Sequence, residues 1–378
     1  MKKSKIPRSS GEQWISLLCA DPRPWLLDGT DPGARWTALT ELTDMPGDGV
    51  EAVQARAAVL KDPAVKALIA RLPDWEKDPV TSGHNSPRFA PNLLHLLADM
   101  GVGPGDSPKV DRMLDAMLRH PDKEGRFQSL GMWRGAPEPH WGALLCDTHA
   151  ITEVLVRYGR GDDLRVRASL ERMAADLEDT EQGRAWPCRA DPESGFRGPG
   201  RKAECCPQVT LEALRTFARL PEKNRPAGLL GVARTSIRVW RGRGTAKPYM
   251  FGHGRQFKTV KWPNFWYDAH MVLDALSRWP ALWKGRGARS EDRRGLAEMA
   301  ACLIAYNFGS EGTVTPRSCY KGFESFSFGQ KKIPSRFATA RLCIVLRRLS
   351  DLSGDIAAVD VCALGSSKGG TGKPVPPK

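Results

Sequence analysis

One pattern governs what this chain can fold into. An apolar segment with helical spacing, led in by a polar loop rich in Gly and Pro, recurs about every fifty to seventy residues. The segments are ARWTALTEL (34–42), SPRFAPNLLHLLADMG (86–101), WGALLCDTHAITEVLVRYG (141–159), CCPQVTLEALRTFARLP (205–221), FWYDAHMVLDALSRWP (265–280) and PSRFATARLCIVLRRL (334–349). Each is apolar on most sides, which predicts a buried helix. Between some of them lie SPKVDRMLDAMLRH (107–120), LRVRASLERMAADLE (164–178) and SEDRRGLAEMAACLIAYN (290–307). These carry one apolar stripe opposite Arg, Asp and Glu, as an amphipathic outer helix does. Period-two alternation is nearly absent, so the predicted class is all-α. Six inner helices with outer partners predict an (α/α)6 toroid, a closed ring around a cavity. Each pair can bury its face only against its neighbours, so residues 31–350 form one domain. Residues 1–30 are expected to be an N-terminal extension and 351–378 a flexible tail.

Composition narrows the partners. The 378 residues are 41% apolar, enough for a large core, and the net charge is +14. That balance favours anionic partners. The basic residues are mostly dispersed among acids, and isolated arginines such as Arg157, Arg165, Arg167 and Arg215 read as a solvated basic surface. Only 234–261, RTSIRVWRGRGTAKPYMFGHGRQFKTVK, has the basic–aromatic density of a nucleic-acid stripe, so nucleic acid ranks below a small molecule as partner. Nine cysteines are too sparse for a disulfide scaffold. The first apolar run, WISLLCA (14–20), is short and late for a signal sequence, and no stretch approaches a membrane span. A cytoplasmic protein with reduced thiols is expected. The tail GSSKGGTGKPVPPK (365–378) imitates a P-loop, but Pro374 stands where Ser or Thr is required and no helix follows.

The loops before the later inner helices carry a resemblance. EGTVTPRSCYKGFESFSFGQKKIPSRFATARLCIVLRRL (311–349) and GRAWPCRADPESGFRGPGRKAECCPQVTLEALRTF (183–217) share an aromatic-rich loop followed by a Thr-containing, Leu-rich helix. The second begins Gly-x-x-Trp-Pro, at Gly183 to Pro187. In these features the chain, from about Asp31 to Leu349, resembles the terpenoid cyclase and protein prenyltransferase superfamily, whose fold is an α/α toroid. The Asp-x-Asp-Asp and Asp-Asp-x-x-Asp motifs and the standard QW repeats of that superfamily are missing. The resemblance therefore implies the fold and a cavity, without implying terpene cyclisation.

In such a ring the N-terminal turns of the inner helices surround one mouth of the cavity, and their free N–H groups suit anions. The polar residues placed there define three chemistries. Asp147, Asp268 and Tyr267 are candidate acid–base residues, since a buried Asp can donate a proton; both Asp positions equally fit helix caps. Trp186, Trp266, Lys258, Arg336 and Glu324 are candidate substrate contacts, with the cations matched to an anionic group. Cys146 and His149, three apart on one helix, with Cys188 and Cys206 from the next repeat, are candidate ligands for zinc. Protein prenyltransferases set an Asp, a Cys and a His at comparable helix starts, and the resemblance implies the same use here. The expected function is an enzyme acting on an apolar small molecule with an anionic group, by acid–base or zinc-assisted chemistry. A cavity-bearing hydrolase and a non-catalytic lipid- or partner-binding module are the alternatives.

Overall fold

The computed structural model describes residues 10–365 apart from 81–82, 85, 133–136, 192–194, 196–202, 245–253 and 266. The chain is mostly helical, in keeping with the predicted class. Eleven helices organise it: α1 (Pro32–Leu42), α2 (Val50–Lys61), α3 (Ala90–Asp99), α4 (Pro108–Leu118), α5 (Leu145–Arg157), α6 (Leu164–Ala175), α7 (Pro207–Arg219), α8 (Leu229–Gly242), α9 (Ala269–Leu276), α10 (Ser290–Asn307) and α11 (Arg336–Arg348). Shorter helical turns connect them. Sheet structure among the described residues is limited to three two-stranded pieces. Ser129–Gly131 pairs antiparallel with His140–Gly142, Glu178–Thr180 antiparallel with Gly183–Ala185, and Lys261–Trp262 parallel with Ser318–Cys319.

Local chemistry fixes where the helices begin. Pro32, Pro108 and Pro207 occupy first positions, where a missing N–H costs nothing. Asp31, Asp163, Asp268 and Ser335 cap α1, α6, α9 and α11 by accepting first-turn backbone N–H groups.

Burial separates two kinds of helix. Every residue of α9 is buried, as are ten of the thirteen residues in each of α5 and α7. By contrast, α6 buries only Val166, Ser169, Leu170 and Met173, a single face. Helix α10 departs from the expected outer type: twelve of its eighteen residues are buried. It is covered from outside by α8 and by a short helix at Ser353–Ala357. Packing runs in sequence from α3 to α5, α7, α9, α11 and α1. Helix α1 also meets the end of α3, where the Thr37 hydroxyl donates to the Asp99 carbonyl at 3.0 Å and Gly33 lies against Met100. Outside this series, α2 packs on α1, α6 on α5, α8 on α7 and α10 on α9.

Described residues of the two segments expected to flank the domain pack into its core. Trp14 is buried, and its backbone N–H donates to Ser350 Oγ at 3.1 Å. Leu352 and Ile356 belong to the same hydrophobic core. Residues 366–378, with the P-loop-like string, lie outside the described residues.

Leu214 sits fully buried in α7, which packs on α5, α8 and α9 together. Leu214→Ala should lower unfolding free energy by about 2–5 kcal/mol, the cost of a lost side chain plus a cavity. Urea denaturation checks this; a loss below about 1 kcal/mol would show that the site collapses around the gap.

Candidate functional site

Helices α3, α5, α7 and α9 each carry polar residues at helical spacing, and these meet one another and Arg341 of α11. They are Asn92, His95 and Asp99 on α3; Glu153 and Arg157 on α5; Gln208, Glu212, Arg215 and Arg219 on α7; His270 and Asp274 on α9, with Arg278 just beyond; and Arg341 on α11. Together with Trp262 to Phe265 and Phe337 they line one cavity of about 50 Å³. It has room for a few waters or one compact group.

Ion pairs tie the inner helices together across it. Asp99 binds Arg157 at 2.5 Å and Arg341 at 3.2 Å, joining α3 to α5 and α11. Arg157 also donates to the His95 carbonyl at 3.0 Å. Glu153 accepts from Arg215 at 2.7 Å, joining α5 to α7. Asp274 accepts from Arg278 at 3.1 Å and from Arg348 at 2.7 Å, joining α9 to α11. Among the described residues no ion pair joins α7 to α9. There Arg219 makes no hydrogen bond or ion pair, and its Nε is buried without a partner.

The charge states follow from these contacts. Burial alone would raise the carboxyls of Asp99, Glu153 and Asp274. The arginines outweigh it: Asp99 falls to about 2, Asp274 lies well below the usual range, and Glu153 is also lowered. Glu212 goes the other way. Burial dominates and holds it well above the usual carboxylate range, against Arg215 and Gln208. Its Oε1 accepts from Gln208 Nε2 at 2.5 Å, and its Oε2 is buried without a partner. Burial, with Arg157 and Arg278 nearby, lowers Arg219 to about 9. Burial also holds His95 at about 3 and His270 at about 4, so both rings are neutral. Five arginines thus face three ionised carboxylates in the lining. Uncompensated buried charge is costly unless a counterion meets it.

The residues expected at the helix starts lie elsewhere. Asp147 accepts a hydrogen bond from the Ser129 hydroxyl, and burial raises it to about 6. Asp268 is the α9 cap, and burial raises it to about 7 against the N–H groups it accepts. Both are held by the fold and are not in the cavity lining, although Asp268 touches it through Asn264. Tyr267 is buried and also outside the lining. Trp186 packs against His149 and donates its Nε1–H to the Met173 carbonyl at 2.7 Å. Lys258 lies over the Tyr306 ring and Arg336 over the Trp25 ring. Glu324 accepts from the Gly322 backbone on an exposed turn. Trp266 lies outside the described residues.

For the zinc set, the thiols of Cys146 and Cys206 are pushed up chiefly by burial, and each feels Cys188 nearby. His149 is a core ring whose Nδ1 meets the Val209 carbonyl at 3.0 Å. Among the described residues no three His, Cys, Asp or Glu side chains converge in a metal-holding arrangement.

Two arginines read as solvated are instead held in ion pairs between helices. Arg157 and Arg215 belong to the network, while Arg165 and Arg167 are exposed, as expected. In the basic stretch 234–261, several arginines contact the chain itself. Arg234 pairs with buried Asp292 at 2.8 Å, Arg238 donates to the Gln182 carbonyl, and Arg243 lies over Trp240.

No family model, curated protein or solved structure matches the chain.

Glu212 generates a pH prediction. Its folded pKa lies above the unfolded value of about 4.3, so the native state keeps a proton that the unfolded chain releases. That contribution is fully present below about 4.3 and is lost as pH rises toward and through the folded value. Glu212→Gln has no proton to lose. The stability of this variant relative to wild type should therefore grow with pH from about 4.3 into the neutral range. Urea denaturation across that window checks it, and a pH-independent difference would show that Glu212 is ionised in the fold.

Proposed function

We propose that the chain is an (α/α)6 toroid that binds a small anionic substrate in its central cavity and acts on it by acid–base chemistry. The order of helix contacts, closing from α11 through α1 to the end of α3, supports the ring. It is also the architecture implied by the resemblance to terpenoid cyclases and prenyltransferases.

The observation that carries the function is Arg219. It is a half-buried cation whose Nε is buried without a partner, at the junction of the ion network, α7 to α9, where the described residues hold no bridge. Arg278 lies near enough for its charge to depress that of Arg219. An anion between the two would replace this repulsion with charge-assisted hydrogen bonds. The guanidinium geometry suits a carboxylate or a phosphate. The lining is charged and the volume small, which favours a compact polar substrate over an isoprenoid chain. Glu212, neutral and with one oxygen free, is the proton donor of this reading.

Calorimetric titration with inorganic phosphate and with malonate tests the anion site. Wild type should bind at least one of them, and Arg219→Ala should lose about tenfold or more in affinity, as expected for one charge-assisted hydrogen bond. The same variant should keep or gain stability, since a half-buried charge with no ion-pair partner is removed. Affinity unchanged by the substitution, or absent in wild type for both anions, would refute the reading.

A further inference from the structure

Three side chains at the entry to α9 form a chain that ends at the cavity. Asp268, 1% exposed, accepts from the Met271 backbone at 3.1 Å and from Asn264 Nδ2 at 2.7 Å. The other end of that amide, Asn264 Oδ1, is 2.9 Å from His270 Nδ1. The far nitrogen of the ring, His270 Nε2, is buried and makes no hydrogen bond. His270 and Asn264 both line the cavity that holds Arg219 and Glu212.

The direction of this chain is set from its Asp268 end. Asp268 Oδ1 is taken by the Met271 N–H, and in its ionised form the carboxylate accepts only, so the amide turns its nitrogen toward Oδ2. Asn264 must then present oxygen to the ring, and an oxygen cannot donate. The proton of the neutral imidazole is therefore on Nδ1, which leaves Nε2 as a bare lone pair. Buried Nε2 atoms without a hydrogen bond also occur at His149, a core ring outside the cavity, and at His95, which lies 3.7 Å from Glu153. His270 differs in that its Nδ1 is held by a carboxylate-anchored amide while its ring lines the cavity.

We propose that His270 Nε2 is the proton acceptor of the cavity, and that Asn264 and Asp268 are positioning residues that hold the ring in that tautomer. The inference rests on the cavity being the site of a small anionic substrate. In the transfer, Nε2 takes a proton from an O–H or C–H bond of the substrate. The bonding pair stays on the substrate beside the arginines, and His270 becomes an imidazolium whose Nδ1–H remains on Asn264 Oδ1. Glu212 supplies the opposite function from another helix, so one cavity holds a proton donor and a proton acceptor. Burial and the Arg341 guanidinium keep the ring neutral at rest, while Asp274, Asp99 and the backbone of Arg341, which the ring also faces, pull the other way. A bound anion adds to the second effect and raises the basicity of Nε2.

Long-range proton–nitrogen NMR of the full chain labelled at histidine nitrogens reads the tautomer directly, with His270→Gln identifying the signals. Wild type should show a protonated Nδ1 and a bare Nε2. Asn264→Leu should move the proton to Nε2, because the ring loses its acceptor. Malonate or inorganic phosphate should shift the His270 titration upward. A wild-type ring protonated at Nε2, facing the backbone of Arg341, would overturn the proposal, and so would a tautomer unmoved in Asn264→Leu. The wild-type spectrum decides even where that variant does not fold. The two readings also fail separately. A bare Nε2 in a protein that binds neither anion refutes the anion site alone, and anion binding with a protonated Nε2 refutes the relay alone.

Discussion

The carboxylate of Asp99 is the point on which the inner helices depend. It closes α3, where the chain is leaving the helix and its last carbonyls need partners. Arg157 comes to it from α5 and Arg341 from α11, while its own carbonyl receives Thr37 of α1. Four helices, far apart along the chain, are thereby fixed at one residue. A buried ion pair is weak evidence for stability, since desolvation offsets most of its attraction, but removing one partner is severely destabilising. Such a contact acts chiefly to specify arrangement: only a packing that brings both arginines to Asp99 avoids stranding a buried charge.

The same logic gives the cavity its polarity. Apolar packing holds the inner helices from outside, through residues such as Leu94, Ile151, Leu214 and Leu273. On the inner side, α5, α7 and α9 present ionisable groups at four-residue spacing, and ion pairs link them with Asp99 of α3 and Arg341 of α11. Among the described residues the pairing is made at four junctions and no ion pair joins α7 to α9, where Arg278 lies near enough to Arg219 to repel it. A surplus of cations confined to one junction differs from a dispersed basic surface. It concentrates the favourable field for an anion at a single place, in a low-dielectric interior where that field is strong. The net charge of +14, taken over the whole chain, predicted an anionic partner without locating it. The location depends on which arginines find carboxylates.

Much of the framework was legible in the sequence. The apolar segment at 141–159 contains α5 at Leu145–Arg157, 205–221 contains α7, and 290–307 coincides with α10. Helices α2 and α8 were not anticipated. Helix α2 is rich in Ala and weakly amphipathic, burying only Ala52, Ala55 and Val59. Helix α8 was read as a basic stripe because its arginines fold back onto neighbouring helices, which spacing alone does not show. The site was missed by register. Residues at the helix starts, Cys146, Asp147 and Cys206, were selected because free N–H groups gather there. The cavity instead lies one to three turns further along α5 and α7, where Glu153, Arg157, Arg215 and Arg219 sit. Periodicity identifies the face of a helix, not the depth at which the faces converge. One clue was available: ions four residues apart inside otherwise apolar helices, as in Glu153–Arg157 and Asp274–Arg278. A solvated face would place such ions among other polar residues; here Leu and Val surround them.

That clue also separates the two aspartates from the residues that face the cavity. Asp147 and Asp268 are buried acids with raised pKa values, the usual mark of a functional carboxyl. Yet each is already engaged, by a serine hydroxyl or by backbone and amide N–H groups, and neither opens on the cavity. Glu212 and His270 differ in having one polar atom buried and left over, both on the same small volume. Burial shifts a pKa wherever it occurs, so the shift alone does not distinguish a structural acid from a chemical one. An unused lone pair or proton facing a cavity does, because folding has no use for it and its desolvation still costs free energy. By that criterion Asp268 acts on the cavity only through Asn264 and the ring it orients.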